Sequence, residues 1–365
     1  MLAGVTVLAT VAYFLAGVAF AAPVVTGNGT FTYTQGDPAL NIGAGLNIAG
    51  GTTYAGEFIQ FAVDTPTLNE TLSFISVVTA SVATGVVSIV GSDVYLGNGT
   101  TADVVGSIDA TDDGAAGRPL RVNFVDALES VVVNPGFENG LTGWTVMDQV
   151  IDLGVTNIAS CPSIDTSTYP APVTNSDNNP PSLGGIRSTT AATSNSPTEG
   201  THAARIHVSD VVTLNAFDVV HGPAIFSSPF NAAAGDLIGF DWLGIEGFDD
   251  YHVFGYLIDS GCIQTEVLDA TGAGSSGWAT RATAIPTTGT YRIVFVNGTF
   301  NQFGGNGAGA SLIVDNVRLK DSTINDAVVQ ALGRKLQYAN SSFSAATTRT
   351  VDVTAQSALA GTGFA

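Results

Sequence analysis

The stretch Asn134-Pro-Gly-Phe-Glu-Asn-Gly-Leu-Thr-Gly-Trp144-Thr constrains this chain more than any other. It begins a β-rich unit that closes far downstream, at Leu312-Ile-Val-Asp-Asn-Val-Arg-Leu319. It also interrupts a second unit, whose missing end reappears only after Lys320. The sequence therefore predicts one domain set inside another.

Composition limits what such a pair of domains can do. The 365 residues include 31 acidic and only 11 basic side chains, a formal charge of -20. A surface of that sign repels phosphate backbones and anionic membranes, which excludes nucleic acid as a partner. Carboxylates in excess suit Ca²⁺, a cation that prefers oxygen ligands, and they equally suit solubility in a salty medium. With 43 Gly, abundant Thr, Ser and Val and only 12% charged residues, short strands joined by tight turns are favoured over helix. Two cysteines, Cys161 and Cys262, fall inside the inner unit and can form one disulfide in an oxidising compartment or stay as buried thiols.

Residues 1–22 read as a signal peptide. Leu2 to Ala22 is almost wholly apolar or small, Ala19-Phe20-Ala21 matches a small-x-small cleavage site, and Pro23 opens a polar run. The segment carries no Lys or Arg, and its length approaches the ~20 residues of a membrane anchor, the rival reading. Its Gly, Thr and Ala content favours cleavage, so secretion with no membrane span in the mature chain is the expectation.

From Val24 the pattern is strand-like. Gly29 to Thr34 alternates apolar and hydroxyl residues, and further strand-like runs follow at Phe58–Val63, Leu72–Val78, Gly85–Val90, Asp93–Leu96 and Leu120–Val125. Thr323 to Leu336 is the one helix expected beyond the N-terminal segment. Asn325 or Thr323 can cap it, Asp326 suits its first turn, and Val328, Val329, Leu332 and Leu336 share a face.

Five segments of the outer unit carry a family resemblance: Phe31-Thr-Tyr-Thr-Gln-Gly-Asp-Pro-Ala-Leu40, Leu120-Arg-Val-Asn-Phe124, Ala327-Val-Val-Gln-Ala-Leu332, Leu336-Gln-Tyr-Ala-Asn-Ser341 and Thr348-Arg-Thr-Val-Asp-Val-Thr354. Together they resemble a cadherin-like or immunoglobulin-like repeat of large bacterial surface adhesins. In that family the third segment follows the second almost directly, whereas here residues 131–319 intervene. An insertion at an exposed loop accounts for the gap. The inner unit, with Asn134-Pro-Gly-Phe-Glu138, Gly143-Trp144 and Val314-Asp-Asn-Val317, looks like the edges of a galactose-binding-like jelly roll, the fold of many carbohydrate-binding modules. The expected architecture is all-β: an adhesin-repeat sandwich from residues 23–130 and 320–365 with one short helix, and an inserted jelly-roll sandwich at 131–319.

The jelly-roll resemblance implies a structural Ca²⁺ tying the first strand to the last, with Glu138 and Asp315 at the matching places. Two carboxylates on neighbouring strands repel unless a cation bridges them; alternatively, each caps a turn or meets Arg318 or Arg205. Sugar binding needs an exposed aromatic face beside fixed polar groups. The densest candidate is Asp241 to His252, where Trp242, Phe248, Tyr251 and His252 interleave with Glu246, Asp249 and Asp250, and Trp278 lies on a later loop. Against this stands the tendency of sandwiches to bury their tryptophans. Two carboxylates are what glycosidase chemistry requires, but Asp249 and Asp250 are adjacent and would face opposite ways on a strand. No zinc-protease, nucleophile-elbow or phosphate-loop pattern is present. The expectation is a secreted, non-catalytic adhesion protein that meets a glycan or a cell-surface or matrix partner. The alternative is a subunit that self-associates into a filament or surface layer through strand edges.

Overall fold

The computed structural model describes residues 2–8, 22–27, 29–34, 36–128, 131–148, 186–193, 195–212, 219–300, 307–342 and 348–358. The chain divides into two compact units, one made of Met1–Ala127 with Lys320–Ala360, the other of Leu128–Leu319. Both are built almost entirely of strands, and the described residues hold one α-helix, Asp326–Gly333. No helix among them is long and apolar enough to cross a membrane.

The outer unit packs an eight-stranded sheet against a smaller three-stranded one. The large sheet runs in the order Thr30–Thr34, Leu2–Leu8, Arg349–Ala355, Phe58–Val63, Leu120–Phe124, Ala102–Asp113, Asp93–Gly97, Val87–Val90. Its strands obey period two: Leu120, Val122 and Phe124 are buried while Arg121 and Asn123 face outward, and the Arg121 guanidinium lies 3.7 Å over the Phe58 ring. The N-terminal apolar segment takes part as well. Leu2–Leu8 pairs parallel with Arg349–Ala355 and antiparallel with Thr30–Thr34, while residues 9–21 of the expected signal peptide lie outside the described residues.

The helix begins at the later of its two expected caps. Asn325 is the N-cap, its side chain accepting from the Ala327 and Val328 amides. Asp326 is drawn to the main chain nearby, accepting from Gly50 N, Gly51 N and the Tyr54 hydroxyl at 2.8, 3.1 and 2.7 Å. Val328, Val329 and Leu332 enter the core. Leu336 leaves the helix to start the strand Leu336–Asn340, and Gly333, the last helical residue, is packed so tightly on Leu46 that a Cβ there would lie 2.3 Å from Leu46 Cδ2.

Strands from the two ends of the outer unit meet at one buried charge. Glu70 is fully buried and accepts from Arg349 Nε at 2.6 Å, Tyr338 Oη at 2.8 Å and Thr67 N at 2.6 Å. Burial alone would raise the Glu70 pKa, but these hydrogen bonds outweigh it and hold the carboxyl below the usual glutamate range. Where the chain leaves and re-enters the unit, Lys320 and Asp126 form an ion pair at 2.7 Å.

The inner unit is a jelly-roll sandwich of two antiparallel sheets. One runs Trp144–Met147, Val219–Ser227, Gly289–Phe300, Asp250–Asp259, Gln264–Gly272, with Phe230–Ala232 also on Gly289–Phe300. The other runs Ile186–Ala192, Ala203–Val212, Gly307–Lys320, Leu237–Glu246, Ala279–Ala284. Phe240, Trp242, Val253, Leu257, Phe295, and Leu312 fill the space between them. The first sheet is also apolar on its other face, where Phe226, Phe254, Tyr256 and Val294 are buried. Strands buried on both faces read as continuous hydrophobic runs, and Leu237–Glu246 and Asp250–Asp259 show this in place of simple alternation.

Replacing Arg349 by Leu removes the cation from a buried carboxylate, and equilibrium denaturation should show the outer unit losing about 3–5 kcal/mol. Because the folded pKa of Glu70 is depressed, its contribution is complete above about pH 4.3 and fades as pH falls through the folded value. A Glu70→Gln variant should flatten that acid limb of the stability profile.

Candidate functional site

Asn134 turns the chain at the mouth of the jelly roll. It sits at φ 51°, and its side-chain amide donates to the carbonyls of Gly140 and Thr142 while its oxygen accepts from Asn139 N. That wrap drives Phe137 into the core against Trp144, with ring centroids 4.9 Å apart. Val317 N donates to Pro135 O at 3.0 Å, which ties this turn to the last strand.

Glu138 and Asp315 both hold the loop 198–202, from opposite ends. Glu138 Oε1 accepts from the amides of Thr201 and His202, each at 2.7 Å, and Oε2 accepts from the Thr201 hydroxyl at 2.8 Å. Those amides hold its pKa down to about 2. Asp315 is fully buried; its Oδ2 accepts from Thr198 N at 2.7 Å and Glu199 N at 2.9 Å, and its Oδ1 from Asn316 N at 2.7 Å. Two further carboxylates join them that sequence reasoning did not single out as ligands. Asp241 accepts from Thr198 Oγ1 at 2.8 Å and Thr280 Oγ1 at 2.6 Å, with Arg318 at 3.6 Å. Glu199 has its pKa raised by burial first and then by repulsion from Asp315, with Arg318 opposing. Asp315 is also raised, because burial outweighs its hydrogen bonds. Among the described residues no group of three or more His, Cys, Asp or Glu is arranged to hold a metal ion. The first role of Glu138 and Asp315 is thus to fasten a loop.

The aromatic candidates separate into two sets. Trp242 and Tyr251 are core residues, 5% and 6% exposed, packed edge to face at 6.5 Å, so neither offers a ring to a ligand. Asp249, Asp250 and His252 are buried too, which corrects the expectation of one exposed Trp242–His252 face. The reason is that Leu237–Glu246 and Asp250–Asp259 are interior strands of their sheets, buried on both faces. Asp249 turns its carboxylate back onto the amide of Asp250 at 3.1 Å. The Asp250 pKa is raised by burial first and then by Asp249 and Glu246. His252 Nε2 lies 3.5 Å from Asp269, its ring against Phe254.

Glu246, Phe248 and Trp278 remain at the surface. Phe248 is 69% exposed at the tip between the two central strands. Backbone hydrogen bonds from Glu246 N to Gly274 O and from Ser276 N to Gly244 O clamp that tip to the loop that carries Trp278. The Glu246 carboxylate accepts from Gly274 N, and Trp278 Nε1 donates to Asn195 O at 2.9 Å, which fixes the indole edge-on while the ring stays partly exposed. Two aromatic rings and a carboxylate are therefore presented on joined, hydrogen-bonded loops. Cys262 has its sulfur in a disulfide, and Cys161 lies outside the described residues.

The sequence matches no known protein-family description and no curated relative. Solved structures similar to the chain include TmCBM61 in complex with beta-1,4-galactotriose, at 14% identity over 52% of this chain and 98% of that one, TM-score 0.30. Family 16 Carbohydrate Binding Module-2 is similar at 13% identity over 52% and 99%, TM-score 0.25. The K1 cleaved adhesin domain of Lys-gingipain from Porphyromonas gingivalis W83 is similar at 10% identity over 51% and 95%, TM-score 0.29. At these TM-scores they are likenesses and nothing more.

Glu138→Ala should raise amide exchange at Thr201 and His202 selectively, since both N–H groups lose their acceptor. In the wild type, a carboxyl NMR titration of Glu138 should find its midpoint near pH 2.

Proposed function

We propose that the protein is a secreted, non-catalytic surface protein whose jelly roll binds a glycan at the Phe248–Trp278 loop end. The observation that carries this reading is the pairing of exposed Phe248 with part-exposed Trp278 and Glu246 on loops clamped to each other. An exposed ring stacks on the apolar face of a pyranose, and a fixed carboxylate accepts from sugar hydroxyls. Buried Asp249 and Asp250 lack the open, facing arrangement that hydrolysis of a glycosidic bond requires, which supports a binding role. The Ala19-Phe20-Ala21 site and the disulfide at Cys262 support export to an oxidising compartment.

On a glycan array, the wild type should be retained by a restricted set of sugars. Phe248→Ala and Trp278→Ala should each weaken the best hit by roughly tenfold or more, about 1.4 kcal/mol. Retention unchanged in both variants would sink the site, and hydrolysis of the retained glycan would sink the non-catalytic role.

Calcium at the strand-closing edge is a companion proposal. Glu199 and Asp315 both sit where burial disfavours their charge, and a hard dication relieves that cost. The residues that would hold it are Glu138 and Asp315, the pair that the jelly-roll resemblance implies. Thermal unfolding should then show a midpoint raised by Ca²⁺ and lowered by EGTA, with the shift reduced in Glu138→Ala and Asp315→Ala. A wild-type midpoint indifferent to Ca²⁺ overturns the proposal.

Self-association is the second reading, and one observation favours it: an exposed apolar stretch on the outer unit, Ile75 to Val86.

A further inference from the structure

Trp278 belongs to a closed ring of hydrogen bonds that runs to the strand-closing edge of the jelly roll. Its Nε1 donates to Asn195 O at 2.9 Å. Further along the same loop, Thr198 donates its hydroxyl to Asp241 Oδ2 at 2.8 Å. Asp241 Oδ1 accepts from the Thr280 hydroxyl at 2.6 Å, and Thr280 lies directly across from Asp241 in the sheet, just after Trp278 in the chain. One carboxylate, buried at 6% exposure, thus divides its two oxygens between the loop and the strand that follows the tryptophan. Asn316 Nδ2 at 3.0 Å and Arg318 at 3.6 Å complete its surroundings.

The piece of loop between the two contacts is in a conformation it would not hold alone. Asn195 and Ser196 both lie in the left-handed region, at φ 75° and 51°, where Asn is tolerated and Ser is disfavoured. Pro197 then fixes its own φ and has no N–H to give. Such a backbone persists only where its surroundings impose it. Here the far end of the loop does so. Asp315 Oδ2 accepts from the amides of Thr198 and Glu199, and Glu138 Oε1 accepts from those of Thr201 and His202. The Asn195 carbonyl is therefore delivered to the indole by a loop anchored on carboxylates. The ring itself packs against the cluster of Ala203, Leu243 and Ile313. An indole resting on aliphatic side chains, with its N–H given to one fixed carbonyl, keeps one orientation. Without that carbonyl the ring can turn about its side-chain torsions, and a sugar that stacks on it must first stop the motion.

We propose that Thr198 and Asp241 are positioning residues for Trp278, and that the loop 195–202 is a strap through which the strand-closing edge sets glycan affinity at the Phe248–Trp278 end. This role rests on the reading of that end as the glycan site. Neither Thr198 nor Asp241 needs to touch the sugar: both act through the Asn195 carbonyl and the indole N–H.

The test is hydrogen exchange of the indole N–H groups, followed by NMR on the full chain. There are three tryptophans, and the other two serve as internal controls: Trp144 Nε1 donates to Asn134 O at 3.2 Å and Trp242 is buried in the core. Thr198→Val keeps the shape and the backbone N–H that Asp315 accepts, and removes only the hydroxyl. It should speed exchange at Trp278 several-fold and leave Trp144 and Trp242 unchanged, and Thr198→Ser should restore the wild-type rate. On the glycan array, Thr198→Val should weaken the best-retained oligosaccharide by roughly threefold. In a Trp278→Phe background, which keeps a ring and lacks the N–H, Thr198→Val should have no further effect on retention. General loosening of the fold would not produce that non-additivity. Unchanged Trp278 exchange in Thr198→Val overturns the strap. Faster exchange with undiminished retention overturns the positioning role and leaves the Phe248–Trp278 site standing. A wild type that retains no glycan overturns the site itself, while the exchange rates still decide whether the strap holds the ring.

Discussion

The outer unit depends on strand pairing between parts of the chain that lie far apart in sequence. Arg349–Ala355 lies in the middle of the large sheet, antiparallel to Phe58–Val63, and Leu336–Asn340 pairs with Glu70–Phe74. The unit has no complete core until the last strands return, because Val351, Val353, Leu336 and Tyr338 are all buried members of it. Loop closure over such a distance costs entropy, though the cost grows only slowly with loop length. The buried Glu70–Arg349–Tyr338 cluster fixes the register once the strands meet, since a one-residue slip would leave a buried carboxylate without its partners. The Lys320–Asp126 pair then marks where the chain departs and returns.

Within the inner unit, closure is achieved by polar side chains acting on backbone. Asn134 shapes the opening turn, Glu138 and Asp315 fasten the loop 198–202, and Val317 binds back to Pro135. Carboxylates that accept several N–H groups are held rigidly, which makes this edge a firm support for the sandwich. The loop end bearing Phe248 and Trp278 is likewise held by hydrogen bonds, from Glu246 N to Gly274 O, Ser276 N to Gly244 O and Trp278 Nε1 to Asn195 O.

Much of the class was legible in the residues. Period-two alternation in Phe58–Val63 and Leu120–Phe124 is visible because one face of each strand meets the core. The helix was legible from Asn325 and the Val328, Val329, Leu332 face, although its end was not: Leu336 continues the apolar pattern, yet its main chain pairs with Phe74 in the strand Leu336–Asn340. The N-terminal apolar segment reads as a targeting signal, and Leu2–Leu8 also satisfies a strand position in the large sheet. Small and β-branched residues meet both demands.

The candidate site was less legible. Trp242 and Phe248 look equivalent in a list of aromatic residues, yet one is core and the other 69% exposed. Which of them faces water depends on where Leu237–Glu246 and Asp250–Asp259 fall within two stacked sheets, a fact no local pattern carries. Glu199 and Asp241 were hidden for the same reason, lying far from Glu138 in sequence and beside it only once the loop 198–202 is fastened. By itself the sequence determined the all-β class, the excess of negative charge and the cap of the one helix, because alternation, composition and capping act over a few residues. Only the tertiary structure decided which aromatics stay exposed, which carboxylates meet and which valines are left in water, because burial is a property of the packed sheets and of no single segment.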